Sequence, residues 1–225
     1  MSTAPQYIRP QCDWLWLCLI ALAATAAIAG VYLPLPELHY VAKPVATLLI
    51  LAMVCTGPAS EPGYRAGIVT GLVLSTAGDM FLMLRGDHFV MGLASFLCAH
   101  VSYLFAFTRR ERLFSIRWPA LVYALPATAA VLALAPRLPS GLLAPVIVYA
   151  TLLAAMAAQA MVLWRRRRDR ANAFAAAGGL LFVCSDSLLA TETFVIAFAA
   201  GPLLVLTTYW LAQTLIGLSA RRTSR

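Results

Sequence analysis

The chain has 225 residues, of which 62% are hydrophobic and only 12% are charged, and its formal net charge is +8. A soluble domain of this length has about 25% charged residues, so the composition excludes an ordinary soluble protein and indicates an integral membrane protein. Most basic residues lie in short segments between long apolar stretches. We therefore attribute the positive charge to membrane topology and expect no nucleic-acid partner.

The apolar stretches have the length of membrane spans. A helix needs roughly 20 apolar residues to cross a hydrocarbon core about 30 Å thick. On this basis we predict an all-α bundle that forms a single transmembrane domain over residues 1–225, with short connections rich in proline and glycine. The eight predicted spans are 14–33, 38–56, 64–85, 88–108, 117–135, 141–164, 172–190 and 201–219.

The basic residues are distributed unequally between the two sides of such a bundle. With eight spans, one side receives only Lys43, Arg85 and Arg137, and the other side receives the remaining fourteen of the 17 basic residues. Because loops rich in lysine and arginine stay in the cytoplasm, both termini are predicted to be cytoplasmic. The excess of arginine over lysine and the richness in alanine are typical of a GC-rich bacterial genome, and we expect a location in the bacterial inner membrane.

Two aspartates interrupt the apolar spans. Asp79 lies in the third span, six residues before Arg85, and Asp186 lies in the seventh span, six residues before Glu192. Both spans rise from the cytoplasm in the predicted topology, so the two carboxyl groups are expected at a similar depth in the outward half of the bilayer. An ionisable side chain at the bilayer centre costs at least ~2.5 kcal/mol on insertion scales, which favours a functional role for both.

Two neighbouring buried carboxyl groups suit general acid–base chemistry. They are expected to share one proton, which leaves one acid and one carboxylate. We therefore expect Asp79 and Asp186 to face one cavity, with their carboxyl groups within about 10 Å of each other. Their replacement by asparagine is expected to abolish activity and to leave folding unharmed.

Other polar residues are expected in the same outward half of the membrane. Lys43 could extend to the interface, serve as counter-ion to one of the aspartates, or bind a lipid phosphate. His100 could be a hydrogen-bonded core histidine or a functional group. The histidines are too scattered to indicate a metal site. The remaining candidates could line a substrate cavity or simply pack between helices: Ser75, Tyr103, Tyr149, Ser185, Tyr209 and Gln213.

Five short motifs follow one another along the spans. They are Lys43-Pro44, Ser-x-x-Gly-Asp from Ser75 to Asp79, Phe-x-x-Gly-x-x-x-Phe-x-x-Ala-His-x-x-Tyr from Phe89 to Tyr103, Leu-Phe-x-x-Ser-Asp from Leu181 to Asp186, and Tyr-Trp-Leu-Ala-Gln from Tyr209 to Gln213. In their order and spacing they resemble the motifs of the YhhN-like lysoplasmalogenase family. The resemblance extends over about residues 40–215.

This resemblance implies an activity. Members of that family are eight-helix membrane enzymes that hydrolyse the vinyl-ether bond of lysoplasmalogens, single-chain ether phospholipids, to a fatty aldehyde and a glycerophospho-ethanolamine or -choline. The motif aspartates of the family correspond to Asp79 and Asp186. Acid–base hydrolysis of a vinyl ether requires no metal or organic cofactor, and we expect none. Membrane lipids are the other expected partners.

Two other functional classes fit a polytopic protein with buried acids. A small-solute or proton-coupled transporter would use Asp79, Asp186 and Lys43 as a translocation site, and it should place polar residues along a path through both halves of the bilayer. Here only Gln159 and Asn172 are predicted near the inner side. A scaffold would use the buried polar groups only to fix helix pairing.

Overall fold

The computed structural model describes residues 11–58, 61–84 and 88–221, and within them the chain is helical and contains no strand. The eight α-helices in these described ranges are all long and apolar enough to cross a membrane, which confirms the predicted all-α membrane fold. The elements are α1 (Gln11–Tyr32), α2 (Pro36–Thr56), α3 (Pro62–Met83), α4 (Phe89–Arg110), α5 (Trp118–Leu134), the short 3-10 helix η1 (Ala135–Arg137), α6 (Leu143–Arg167), α7 (Arg170–Phe194) and α8 (Gly201–Ser219).

Each predicted span overlaps one helix. The largest difference is in α7, which continues to Phe194 rather than ending near residue 190. Glu192, expected at the outer end of that span, therefore lies inside the helix. Arg85, which was expected to end the third span, lies outside the described residues, as do Arg9, Arg222 and Arg225.

Local sequence explains where several helices begin and end. Pro36 and Pro62 occupy first helical positions, where a missing N–H costs no hydrogen bond. Arg168 ends α6 in the left-handed region with φ 54°. Asp169 then caps α7, and its side chain accepts a hydrogen bond of 2.8 Å from the backbone N–H of Asn172. These two residues reverse the chain between the two longest helices.

Six helices form a closed ring. In spatial order it runs α2, α3, α4, α6, α7 and α8, and α8 packs back on α2. α1 lies outside the ring against α2 and α8, and α5 lies outside against α6. Small residues allow close packing within the ring: a Cβ at Gly178 would stand 2.9 Å from the carbonyl oxygen of Ala212, and one at Gly179 would stand 3.1 Å from the Cα of Ala157.

Polar residues at the arginine-rich end of the ring hold loops and helix ends in place. Gln159 donates a hydrogen bond of 3.0 Å to the carbonyl of Glu111 and accepts one of 2.9 Å from the N–H of Phe114. Asn172 accepts one of 3.2 Å from Arg110. Gln159 and Asn172, the two residues predicted near the inner side that a transporter would need for a polar path, are thus engaged in fixing the fold, and their arrangement does not favour translocation.

Candidate active site

Asp79 is enclosed on α3 and is only 2% exposed. Its Oδ2 atom accepts hydrogen bonds from the hydroxyl of Tyr209 at 2.7 Å and from the hydroxyl of Thr47 at 3.0 Å. The ammonium of Lys43 lies 3.6 Å from Oδ1. Two neutral donors and one cation from α2 and α8 therefore surround this carboxyl group, an arrangement that stabilises its negatively charged form.

A chain of hydrogen bonds fixes the donors around Asp79. Tyr103 donates to the side-chain oxygen of Gln213 at 2.6 Å, and the amide nitrogen of Gln213 donates to the hydroxyl of Tyr209 at 3.3 Å. The indole of Trp210 donates to Thr47 at 3.3 Å. Residues of α2, α4 and α8 are thus tied to one carboxylate, which restricts its position and that of Tyr209.

Asp186 on α7 belongs to a second network. Its Oδ2 atom accepts a hydrogen bond of 2.5 Å from the hydroxyl of Tyr149 on α6. Nε2 of the fully buried His100 lies 3.0 Å from the same hydroxyl and 3.5 Å from Asp186 Oδ2. The imidazole ring contacts the Phe182 ring edge-on, with the centroids 4.7 Å apart. Asp186, Tyr149 and His100 therefore form a compact triad joined through shared polar atoms.

A cavity of about 400 Å³ opens beside Asp186. It lies between α4, α5, α6 and α7, with Leu82 of α3 at one side, and its walls are mainly leucine, alanine, valine and phenylalanine. Asp186 and Tyr149 supply polar groups inside it, and Arg137 of η1 also lines it. An apolar cavity with a few polar groups is the usual form of a site for a small molecule or a lipid chain.

Asp79 does not line this cavity, contrary to the expectation that both carboxyl groups would face it. The ring of Phe96, which does line it, packs against Gly78 and lies edge-on to Tyr209 with the centroids 5.8 Å apart. An aromatic layer thus stands between the cavity and the network of Asp79. The reason is side-chain direction: Asp79 points towards α2 and α8, whereas Asp186 points towards α6.

The two networks share Phe182. Its ring lies edge-on to His100 and also to Tyr209, with centroids 4.7 Å and 5.6 Å apart. A residue that bonds to Asp79 and a residue that contacts Asp186 are therefore separated by one aromatic ring. The structure brings the two acidic networks to adjacent places in the ring of helices.

The other predicted site residues fall into three groups. Tyr149 lines the cavity, while Tyr103, Tyr209, Gln213 and Lys43 surround Asp79 as described above. Ser75 is fully buried on α3 and is not part of the cavity wall. Ser185 donates a hydrogen bond of 3.1 Å to the carbonyl of Val205 and thus joins α7 to α8. It faces away from the cavity because consecutive helical residues point about 100° apart.

The sequence prediction missed Thr47, Trp210 and Arg137. Thr47 lies four residues after Lys43, on the same face of α2, and this spacing was the available signal. Among the described residues, no three His, Cys, Asp or Glu side chains lie close enough together to hold a metal ion.

Comparison with known proteins identifies the family. The model of the YhhN family matches residues 38–220, most of the chain. The chain belongs to the YhhN family. Its similar relatives include the human lysoplasmalogenase TMEM86B, 31% identical over 224 residues that cover 95% of this chain and 89% of the human protein. No solved structure gives a significant match.

Further relatives are also named as lysoplasmalogenases. The mouse lysoplasmalogenase TMEM86B is 30% identical over 92% of this chain and 87% of its own length. The bovine lysoplasmalogenase TMEM86A is 32% identical over 68% of this chain and 64% of its own length. The YhhN family match and the similarity to the human relative both include the helices that hold Asp79 and Asp186 in this chain.

Proposed function

We propose that this protein is a membrane hydrolase that cleaves the vinyl-ether bond of lysoplasmalogens. The products are a fatty aldehyde and a glycerophospho-ethanolamine or -choline. The names of its human, mouse and bovine relatives support this activity. The observation that carries the proposal is the carboxyl group of Asp186 in the wall of an apolar cavity, hydrogen-bonded to Tyr149. An acid beside a site for an alkenyl chain is what this chemistry needs.

The reaction begins with proton transfer to carbon. Asp186 delivers its proton to the vinyl carbon that is not bonded to the ether oxygen, and the electron pair of the double bond forms the new C–H bond. The carbon bonded to the ether oxygen becomes part of an oxocarbenium ion, which water attacks to give a hemiacetal. The attacking water loses one proton to the carboxylate. The bond between this carbon and the glycerol oxygen then breaks as that oxygen gains a proton and the hemiacetal hydroxyl loses one, which releases the aldehyde and the glycerol hydroxyl. The logic parallels that of inverting glycosidases, which use one acid and one base.

The surroundings of the two aspartates support a division of roles. Asp186 contacts the cavity, and the hydrogen bond from Tyr149 orients its carboxyl group. His100 contacts the hydroxyl of Tyr149, and through these two groups a proton can return to Asp186. Asp79, beside Lys43 and two hydroxyl donors, is the carboxylate. It stabilises the cation and orients the water, and we propose that the Phe96 ring turns aside to let water reach it.

We further propose that both termini are cytoplasmic and that the site opens towards the outer half of a bacterial inner membrane. α5 forms one wall of the cavity but packs mainly on α6, so a lipid chain can enter sideways from the bilayer. The substrate then keeps its headgroup at the interface while its alkenyl chain occupies the cavity.

Mass spectrometry of a lysoplasmalogen incubated with the purified protein tests the activity. We expect the wild type to release aldehyde, and Asp186→Asn and Asp79→Asn each to lower kcat by ~10²–10⁴-fold, the usual effect of removing a general acid or base. Glu37→Gln, which changes an exposed carboxyl group at the start of α2, is the control and should retain wild-type turnover. Absence of aldehyde with the wild type, or near-normal turnover by Asp186→Asn, would refute the mechanism.

A further inference from the structure

The cavity beside Asp186 has one cationic lining residue within the described part of the chain. This residue is Arg137, the last residue of η1, and it is exposed at the end of the cavity wall formed by α5. Its guanidinium donates a hydrogen bond of 2.6 Å to the carbonyl of Ala133. An arginine has five N–H donors in a planar fork, so this one contact leaves most of them available.

The helix directions place Arg137 at a defined end of the cavity. α5 and α7 run in the same direction across the membrane, so η1, which follows α5, lies at the same end as the last turn of α7. Asp186 precedes Phe194, the last residue of α7, by eight residues, or about 12 Å at 1.5 Å per residue. The cavity therefore has an acid in its interior and a cation near its outer end.

A single-chain phospholipid can reach from Asp186 towards Arg137. Its ether oxygen and its phosphorus are joined through glycerol by about five bonds, roughly 6 Å when extended, and the long arginine side chain can span the rest. Lys43, the other cation considered for this purpose, is already paired with Asp79 at 3.6 Å and does not line the cavity. The phosphate of a bound lipid thus has one cation within reach among the described lining residues.

We infer that Arg137 binds the phosphate of the lipid whose ether bond lies at Asp186. This inference rests on the proposed function and deepens it, because it assigns the polar end of the substrate to a subsite. A guanidinium suits the task because it can donate two parallel hydrogen bonds to phosphate oxygens. Recognition of the phosphate, which is common to ethanolamine and choline lipids, leaves the terminal ammonium group in water.

Binding of two ligands that cannot be cleaved tests this inference without any turnover. One is a saturated 1-O-alkyl-glycerophosphocholine, and the other is the 1-O-alkylglycerol of the same chain length, which lacks the phosphate. We expect Arg137→Gln to weaken binding of the phospholipid at least about tenfold and to leave binding of the alkylglycerol unchanged. Arg137→Lys should keep part of the affinity because it retains the charge.

Arg117→Gln is the matched control, because Arg117 is exposed and does not line the cavity. It should bind both ligands as the wild type does. Equal weakening of both ligands by Arg137→Gln, no weakening of either, or an equal effect of Arg117→Gln would overturn the inference. Failure of the proposed activity is distinguishable, since it appears as absent aldehyde release while this binding pattern persists.

Discussion

The ion pair between Lys43 and Asp79 should contribute to stability as well as to chemistry. The two charged groups lie 3.6 Å apart and are 12% and 2% exposed. Asp79→Asn keeps the shape of the side chain and its bonds to Tyr209 and Thr47, but it leaves the ammonium of Lys43 without its counter-ion. The expectation from sequence, that this substitution leaves folding unharmed, therefore needs revision for Asp79.

The size of the effect follows from the burial of the pair. Removal of one partner from a buried ion pair costs ~3–5 kcal/mol. Lys43 is in the second turn of α2 and can partly extend towards the interface, so we expect the lower end, about 3 kcal/mol. At ~2–4 °C per kcal/mol for a chain of this size, the melting temperature should fall by about 6–12 °C. Asp186→Asn removes no ion pair with lysine or arginine and should change it little.

A double-mutant cycle in detergent provides the assay. Lys43→Met combined with Asp79→Asn removes both charges, and we expect it to recover most of the stability that Asp79→Asn loses, with a coupling energy of about 2 kcal/mol or more. Thermal unfolding of the wild type, the two single variants and the double variant measures this coupling. If Asp79→Asn melts with the wild type, or if the two substitutions are additive, the ion pair does not stabilise the fold as argued.

Three further predictions concern the cavity and the topology. Tyr149→Phe should lower kcat about tenfold or more in the aldehyde assay, because the carboxyl group of Asp186 loses its orienting hydrogen bond, and should lower the melting temperature by a few degrees, because the buried His100 loses a hydrogen-bond partner; unchanged turnover would contradict this. Ala150→Trp should fill the cavity and raise KM more for long alkenyl chains than for short ones; an equal effect on both would contradict it. In a cysteine-free background, Ser140→Cys should react with an impermeant thiol reagent in intact cells while Arg168→Cys stays protected; the reverse pattern would invert the topology.

Sequence reasoning predicted the helices well because the membrane fixes their length. A run of about 20 apolar residues has few alternatives to a spanning helix, and each of the eight predicted spans overlaps one helix. Sequence reasoning also identified polar residues around each acid. Lys43, Tyr209 and Gln213 surround Asp79, whereas His100 and Tyr149 surround Asp186. Their roles in catalysis stay predictions.

What the sequence could not supply was the direction of each side chain around its helix. The expectation of a shared cavity is based on the similar depth of the two aspartates, but depth leaves the angle about the helix axis undetermined. That angle depends on which neighbours pack on each face, and here the ring of Phe96 separates Asp79 from the cavity. Ser185 is a second example, because it adjoins Asp186 in sequence and yet bonds to α8.

In the proposed mechanism of vinyl-ether hydrolysis, the separation of the two acids has a physical rationale. A carboxylate next to a carboxylic acid in one dry cavity would compete for its proton, whereas Asp79 has its own cation and hydroxyl donors on the far side of an aromatic layer. Asp186 can then give its proton to carbon without losing it to Asp79. Because charges interact more strongly across a low-dielectric interior than in water, we propose that the negative charge of Asp79, although partly offset by the ammonium of Lys43 3.6 Å away, still stabilises the cation that forms in the cavity. We therefore propose that the acid touches the substrate and that the carboxylate acts on the charge that the acid creates.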